Sequence, residues 1–216
     1  MDITQTIALT MGVAWASGIN LYAAILMLGY LGTTGSLDLP PDLQILGNPM
    51  VMLAAGLMYC IEFFTDKVPG VDTGWDAIST FIRIPAGAVL AAGAVGDVGT
   101  AAQLAAGIAG GTLTAGSHAT KAGTRVLINT SPEPITNWFT SVGEDVAVIA
   151  GLWTALYHPA LFIVLLVLFI LLMIWLLPKL WRGIKKVFGF IGRLFGAGKT
   201  GQPPAATAAS EPTQKE

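Results

Sequence analysis

Residues 160–177 read ALFIVLLVLFILLMIWLL, eighteen consecutive positions without a charge. That approaches the roughly 20 apolar residues an α-helix needs to cross a hydrocarbon core about 30 Å thick. Backbone in lipid must satisfy its own hydrogen bonds, so the segment is read as a helix. Trp175 and Pro178 at its end suit a membrane interface. The rest of the chain agrees: a mean hydropathy of +0.69, with 54% hydrophobic and only 11% charged residues, excludes a soluble domain that must wet its surface. One cysteine, Cys60, excludes an intramolecular disulfide and a cysteine-cluster metal site.

Hydropathy and turn chemistry divide the chain into about six spans, at 4–32, 49–66, 74–96, 101–126, 136–157 and 160–178. The expectation is an all-α, polytopic membrane helix bundle over residues 1–178. The N-terminus has no basic region of the signal-peptide kind, so its apolar stretch is read as a retained first helix. Residues 179–199 carry Lys179, Arg182, Lys185, Lys186, Arg193 and Lys199 without an acid, beside Leu180, Ile184, Val187, Ile191 and Leu194 at helical spacing. This pattern predicts a basic amphipathic helix lying on anionic lipid. Residues 200–216, rich in Pro, Ala and Thr, are expected to be a disordered tail. If the basic helix is cytoplasmic, six spans put both termini inside, and the outward segments hold Asp38, Asp42, Asp97 and His158 but no Lys or Arg. A homo-oligomer is compatible with this sequence. Nucleic acid is not an expected partner, because the basic residues belong to a membrane-side helix and the net charge is −2.

Against that apolar background, the charges of residues 61–76, IEFFTDKVPGVDTGWD, need a reason. At about 1.5 Å per residue from Pro49, Glu62 lies about 20 Å into the bilayer. Helix 5 brings Glu144 and Asp145 to the same inner half, and helix 4 brings His118, Lys121 and Arg125 there. A carboxylate in a membrane helix costs a few kcal/mol unless paired or facing water, so these groups must point into the bundle. A buried polar cluster near the cytoplasmic side follows, with Asn20, Glu62, Asp66, Lys67, Asp72, Asp76, Arg83, His118, Lys121, Arg125, Glu133, Asn137, Glu144 and Asp145 as candidate substrate- or ion-binding residues.

Each group also has a plainer reading. Thr73 and Asp76 have the spacing of a capping box, and Asp72 is a second capping candidate. Ser131 and Pro132 look like a helix start, so Glu133 there serves the helix dipole. Asp66 and Lys67 suit a solvated loop. Glu62, Glu144 and Asp145 fit a structural ion-pair lock with Arg83, Lys121 or Arg125, and a lone His118 is more often a satisfied bundle histidine than a ligand.

Helix interruptions give a second signal. Pro85 predicts a kink or break in the third span. ASGIN, residues 16–20, and AGSH, residues 115–118, sit at matching depths of spans 1 and 4. Three spans in each half would run in opposite directions, so this suggests an inverted repeat of three plus three. The alternative is that the glycines of AAGIAGGTLTAGS only permit close helix packing.

ASGINLY, EFFTDKVPGVDTGWD, GSHATKAGTRVLINTSPEP and NWFTSVGED in this order resemble a bacterial inner-membrane family, domain of unknown function 4126, over roughly residues 5–178. The resemblance implies a polytopic inner-membrane protein and carries no activity, substrate or cofactor. Three functions remain in view. The first is a small transporter or channel whose carboxylate cluster binds a cation, proton or small polar solute. The second is a lipid-phosphate enzyme with Glu62, Asp66, Asp72 and Asp76 on Mg²⁺ and with Lys121 and Arg125 on phosphate. The third is a scaffold or accessory subunit with an ion-pair lock. No catalytic triad and no phosphate-cradling glycine motif stands in the sequence, which leans away from an enzyme.

Overall fold

The structure is a computed structural model. It describes residues 1–130 and 134–194, with side chains described through residue 189 apart from residue 134. Glu133 and the expected tail at 200–216 lie outside the described residues. The described residues form six α-helices: α1 Ile3–Thr33, α2 Pro49–Thr65, α3 Val71–Ala94, α4 Thr100–Ile128, α5 Pro134–Tyr157 and α6 Pro159–Leu194. A 3₁₀ segment, Pro41–Gly47, leads into α2 at an angle of 67°.

The expectation of about six spans needs correction at α1. An unbroken helix of this length would hold its ends about 46 Å apart at ~1.5 Å per residue. Instead Met1, Gln5 and Thr6 wall the same cleft as Leu37, Pro40 and Gly96. Asn20, with φ −145° and ψ 94°, interrupts the helix, and the chain doubles back there. Gly12 faces Ala155 and Phe162 near one end of the bundle, and Gly18 reaches Ser117 and His118 deep within it. Gly29 and Gly32 are then back at the first end, against Leu46 and Leu39. α1 is therefore a re-entrant helical hairpin at the centre of the bundle, and α2 to α6 surround it. Leu9, Val13, Leu21 and Leu28 from both of its halves share one apolar core with Leu43, Leu90, Val148 and Leu152.

Four helices, α1, α3, α5 and α6, are long and apolar enough to cross a membrane, and the bent pair leading into α2 makes five. α4 has the length but not the apolarity: its first half is rich in Gly, Ala and Thr, and its second carries His118, Lys121 and Arg125. Met1 and the basic end of α6 lie at opposite ends of the bundle, since Leu180 and Gly183 pack beside Gly123 and Leu127 of α4.

Three further expectations change. Pro85 lies inside a continuous α3, and no residue of that helix leaves helical dihedral angles, so the break does not form. α4 is likewise continuous through residues 115–118, so the interruption of α1 has no matching partner and the inverted repeat loses its strongest support. The basic segment from residue 179 continues α6 through Pro178.

α3 and α4 make the most extensive helix pair, and small residues explain why. Gly87 faces Thr114, and Gly110 lies so close to Ala91 that a Cβ there would collide with the alanine's own Cβ. Without a hydrophobic drive between helices in lipid, this close approach is what holds them together.

Candidate functional site

The polar residues fall on one face of each helix at one end of the bundle. On α3, Asp72, Asp76, Ser79 and Arg83 recur at helical spacing, and on α4 so do Ser117, His118, Lys121 and Arg125. α5 presents Asn137, Ser141, Glu144 and Asp145 in the same way and then turns apolar with Val148 and Leu152. α2 contributes Glu62 in its last turn and Asp66 just beyond it. The short turn from α2 into α3 closes at Gly70, whose φ of +85° suits glycine.

Arg83, Lys121 and Arg125 form the spine. Arg83 donates to Glu62 in a very short ion pair, with both side chains fully buried. Lys121 Nζ lies 3.0 Å from Glu62 Oε1 and 3.0 Å from Asp66 Oδ2. Arg125 Nη2 donates to Glu144 Oε2 at 2.6 Å, and its Nη1 to the Asp66 carbonyl at 2.6 Å. Asp76 Oδ1 stands 3.8 Å from both Arg83 and Lys121, and Asp72 Oδ2 stands 3.8 Å from Arg125. In these contacts five carboxylates face three cations, and Asp145 adds a sixth acid, so acids outnumber cations. Glu62 Oε2, Asp66 Oδ1 and both oxygens of Asp76 are buried without a hydrogen-bond partner.

The tip of the α1 hairpin completes the chamber. The carbonyl of Ile19 accepts from Arg83 Nη1 at 2.9 Å and from Lys121 Nζ at 3.0 Å. Two cations therefore meet the negative end of the first half-helix. The Asn20 side chain accepts from the Ala23 amide at 3.0 Å, capping the second half-helix, and donates to Asp145 Oδ1 at 2.8 Å. Tyr59 donates to the other oxygen of Asp145 at 3.2 Å. His118 lies between Thr80 Oγ1, 2.7 Å from its Nε2, and the Gly18 carbonyl, 3.3 Å from its Nδ1. Gly18 is required here, because a Cβ would run into Ser117 and the Thr114 carbonyl.

Of the residues singled out from the sequence, Asn20, Glu62, Asp66, Asp72, Asp76, Arg83, His118, Lys121, Arg125, Glu144 and Asp145 come together in this chamber. Asn137 joins at its edge, donating to Asn129 Oδ1 at 2.9 Å and to Asp72 Oδ2 at 3.5 Å. Lys67 lies at the edge: its Nζ donates to the Phe63 carbonyl at 2.8 Å and to Ser141 Oγ at 3.5 Å and covers the Phe63 ring, and it makes no ion pair among the described residues. The Thr73 and Asp76 capping box does not form. The backbone amides of Gly70 and Thr73 donate to Asp72 instead, and Asp76 turns into the chamber. Among the described residues no group of three or more His, Cys, Asp or Glu side chains comes together to hold a metal ion. The acids sit on the cations rather than on one another.

Sequence reasoning missed Tyr59, Thr80 and Asn129, and the two carbonyls at the hairpin tip. Tyr59 precedes Glu62 by three residues, Thr80 follows Asp76 by four and Asn129 follows Arg125 by four, so helical spacing from a charged residue would have found them. The family model for a domain of unknown function, DUF4126, matches residues 7–179. The chain belongs to the DUF4126 family. No curated protein and no solved structure matches this DUF4126 chain. The matched segment runs from the first half of α1 past Pro178, so it takes in every residue of the chamber.

Proposed function

We propose that this membrane protein is a small transporter coupled to protons or cations, with the charged chamber as its binding site. The observation that carries this reading is the tip of the α1 hairpin. A helix broken in the middle of a bundle offers backbone carbonyls to cations and a capped N-terminus to anions, a device that transporters use near the bilayer midplane. Here the tip meets an acid-rich cluster in which four carboxylate oxygens have no partner. Protons or a cation bound there would balance the surplus of acids.

Sidedness follows from charge. The segments at residues 34–48 and 95–99 hold Asp38, Asp42 and Asp97 and no Lys or Arg, whereas the chamber end leads into Lys179, Arg182, Lys185 and Lys186. The positive-inside rule makes the chamber end cytoplasmic and the N-terminus external, in a bacterial inner membrane. Lys179 stacks on Trp175 at 3.0 Å, as an interfacial cation does, and the basic end of α6 would engage anionic lipid.

A second reading, a scaffold with an ion-pair lock, has support in the close pairing of all three cations. Proton and cation flux into liposomes, measured for wild type, Glu62→Gln and Glu144→Gln at equal folded content, separates the two. Flux that is lost in the variants supports transport. Absent flux, with variants that are merely less stable, supports the lock.

A further inference from the structure

α3 and α6 both pack on α4 and barely meet one another, which leaves a groove between them on the outer surface of the bundle. Its volume is about 440 Å³, within the range of about 300–1,000 Å³ typical of small-molecule sites. The walls are apolar, with Ile84 on α3, Val126 on α4, and Leu177, Leu180 and Trp181 on α6. At its floor the polar residues Asp76, Thr80 and His118 come from the charged chamber.

Asp76 is the informative member. It is 1% exposed, and neither of its oxygens has a hydrogen-bond partner. The cations that face it, Arg83 and Lys121, stand at 3.8 Å and are engaged more closely elsewhere: Arg83 by Glu62, and Lys121 by Glu62 and Asp66 at 3.0 Å. The third cation, Arg125, is held by Glu144 at 2.6 Å. His118 is taken up by Thr80 and by the Gly18 and Asp76 carbonyls. Asp76 is thus an acid of the cluster that no cation holds closely, and it lines an apolar groove with an indole among its walls.

We propose that this groove binds a lipophilic organic cation, which enters from the bilayer, lays its apolar body along α4 and α6, and brings its positive centre to Asp76. An aromatic face such as Trp181 adds attraction for a bulky cation. The surplus negative charge at the floor selects against a neutral or anionic amphiphile of the same shape. The proposal rests on the transporter reading only in making this cation a substrate, since binding is measured without flux.

The test uses two probes of one shape and opposite charge, tetraphenylphosphonium and tetraphenylborate, on the full chain in detergent. Binding is read by equilibrium dialysis, with wild type, Asp76→Asn, Trp181→Ala and Ala119→Phe compared at equal protein and detergent. Ala119 is an exposed lining residue on α4, so phenylalanine there fills the groove without touching the ion pairs. The expected result is saturable one-to-one binding of the phosphonium alone, weakened about tenfold or more in Asp76→Asn, a factor that corresponds to about 1.4 kcal/mol. Ala119→Phe should abolish binding and Trp181→Ala should weaken it. Equal uptake of the two probes, or phosphonium binding unchanged in Ala119→Phe, overturns the proposal in favour of a lipid-filled crevice. If Asp76→Asn does not fold, the Ala119 and Trp181 variants decide. Phosphonium binding without any Glu62-dependent flux would sink the transporter reading and leave the groove standing. Glu62-dependent flux without phosphonium binding would do the reverse.

Discussion

The two ends of the α3 and α4 pair solve the same packing problem in opposite ways. Toward residues 87–94 and 107–114 the helices approach through Gly87, Gly110 and Gly111 against Thr114, Ala91 and Ala88, with no charge between them. Toward residues 72–83 and 118–125 charges face one another across the pair, with Asp76 3.8 Å from Lys121 and Asp72 3.8 Å from Arg125, and the cations pair more closely with acids of α2 and α5. Small residues let helices join closely in lipid, and the first end packs in that way without any charge. Buried ion pairs are weak devices for stability, because desolvation consumes much of what the attraction returns. Since charges are not needed to hold this helix pair together, their retention at one end, with surplus acid and unpartnered oxygens, supports a chemical purpose for them.

The largest effect is expected where that contrast is broken outright. Arg83→Leu leaves the fully buried Glu62 with Lys121 alone and removes one of the two donors to the Ile19 carbonyl. Losing one partner of a buried pair costs about 3–5 kcal/mol. Thermal unfolding in detergent should therefore show a large drop, or the protein should fail to accumulate in the membrane. An Arg83→Leu protein of wild-type stability would mean that Glu62 is not held by this pair, and that the chamber is not built on these ion pairs.

At the small-residue end, Gly110→Leu is the matching experiment. A side chain there meets the Cβ of Ala91 and approaches Ala14. Overpacking of this kind costs about 1–3 kcal/mol, and it should lower the unfolding temperature without abolishing phosphonium binding at the far end. If binding disappears as well, the two ends are coupled, and the comparison between them needs a moving part.

Asn20→Ala tests the hairpin that joins the ends. The substitution removes a cap, worth ~1 kcal/mol, and leaves Asp145 with Tyr59 as its only side-chain donor. The expected outcome is a modest loss of stability with a larger loss of flux, measured on the same liposomes. Equal losses would mark Asn20 as a structural cap alone.

Much of the chamber was legible because charge in an apolar chain is rare, and because helical spacing brings Asp72, Asp76 and Arg83, or His118, Lys121 and Arg125, to one face. The hairpin was not. Asn20 was visible as an interruption, yet hydropathy counts apolar residues without sensing direction, so a re-entrant pair of half-helices reads as one span. The sidedness argument rests on that count, since parity of spans places the N-terminus. That Pro85 does not break its helix has a different reason. A proline removes one amide and strains one turn, and a helix held by neighbours in lipid tolerates this. The apparent likeness of residues 16–20 and 115–118 came from a packing need: the two segments touch, through Gly18 against Ser117 and His118, and only one of them breaks.

The smallest effect is expected from the charges that the chamber excludes. Asp42 stands exposed at the end opposite the chamber, where Gln103 Nε2 donates to it at 3.3 Å. Asp42→Asn keeps the side-chain shape, and an exposed contact of this kind contributes about 0–1 kcal/mol. Stability, phosphonium binding and flux should all stay at the wild-type level in the same assays that register Arg83→Leu. Both substitutions remove one charge from the same chain, so a difference between them reports burial and pairing rather than net charge. A flux defect in Asp42→Asn would mean that the acid-bearing end also handles the transported ion, and the site would then extend along the bundle instead of being confined to the chamber.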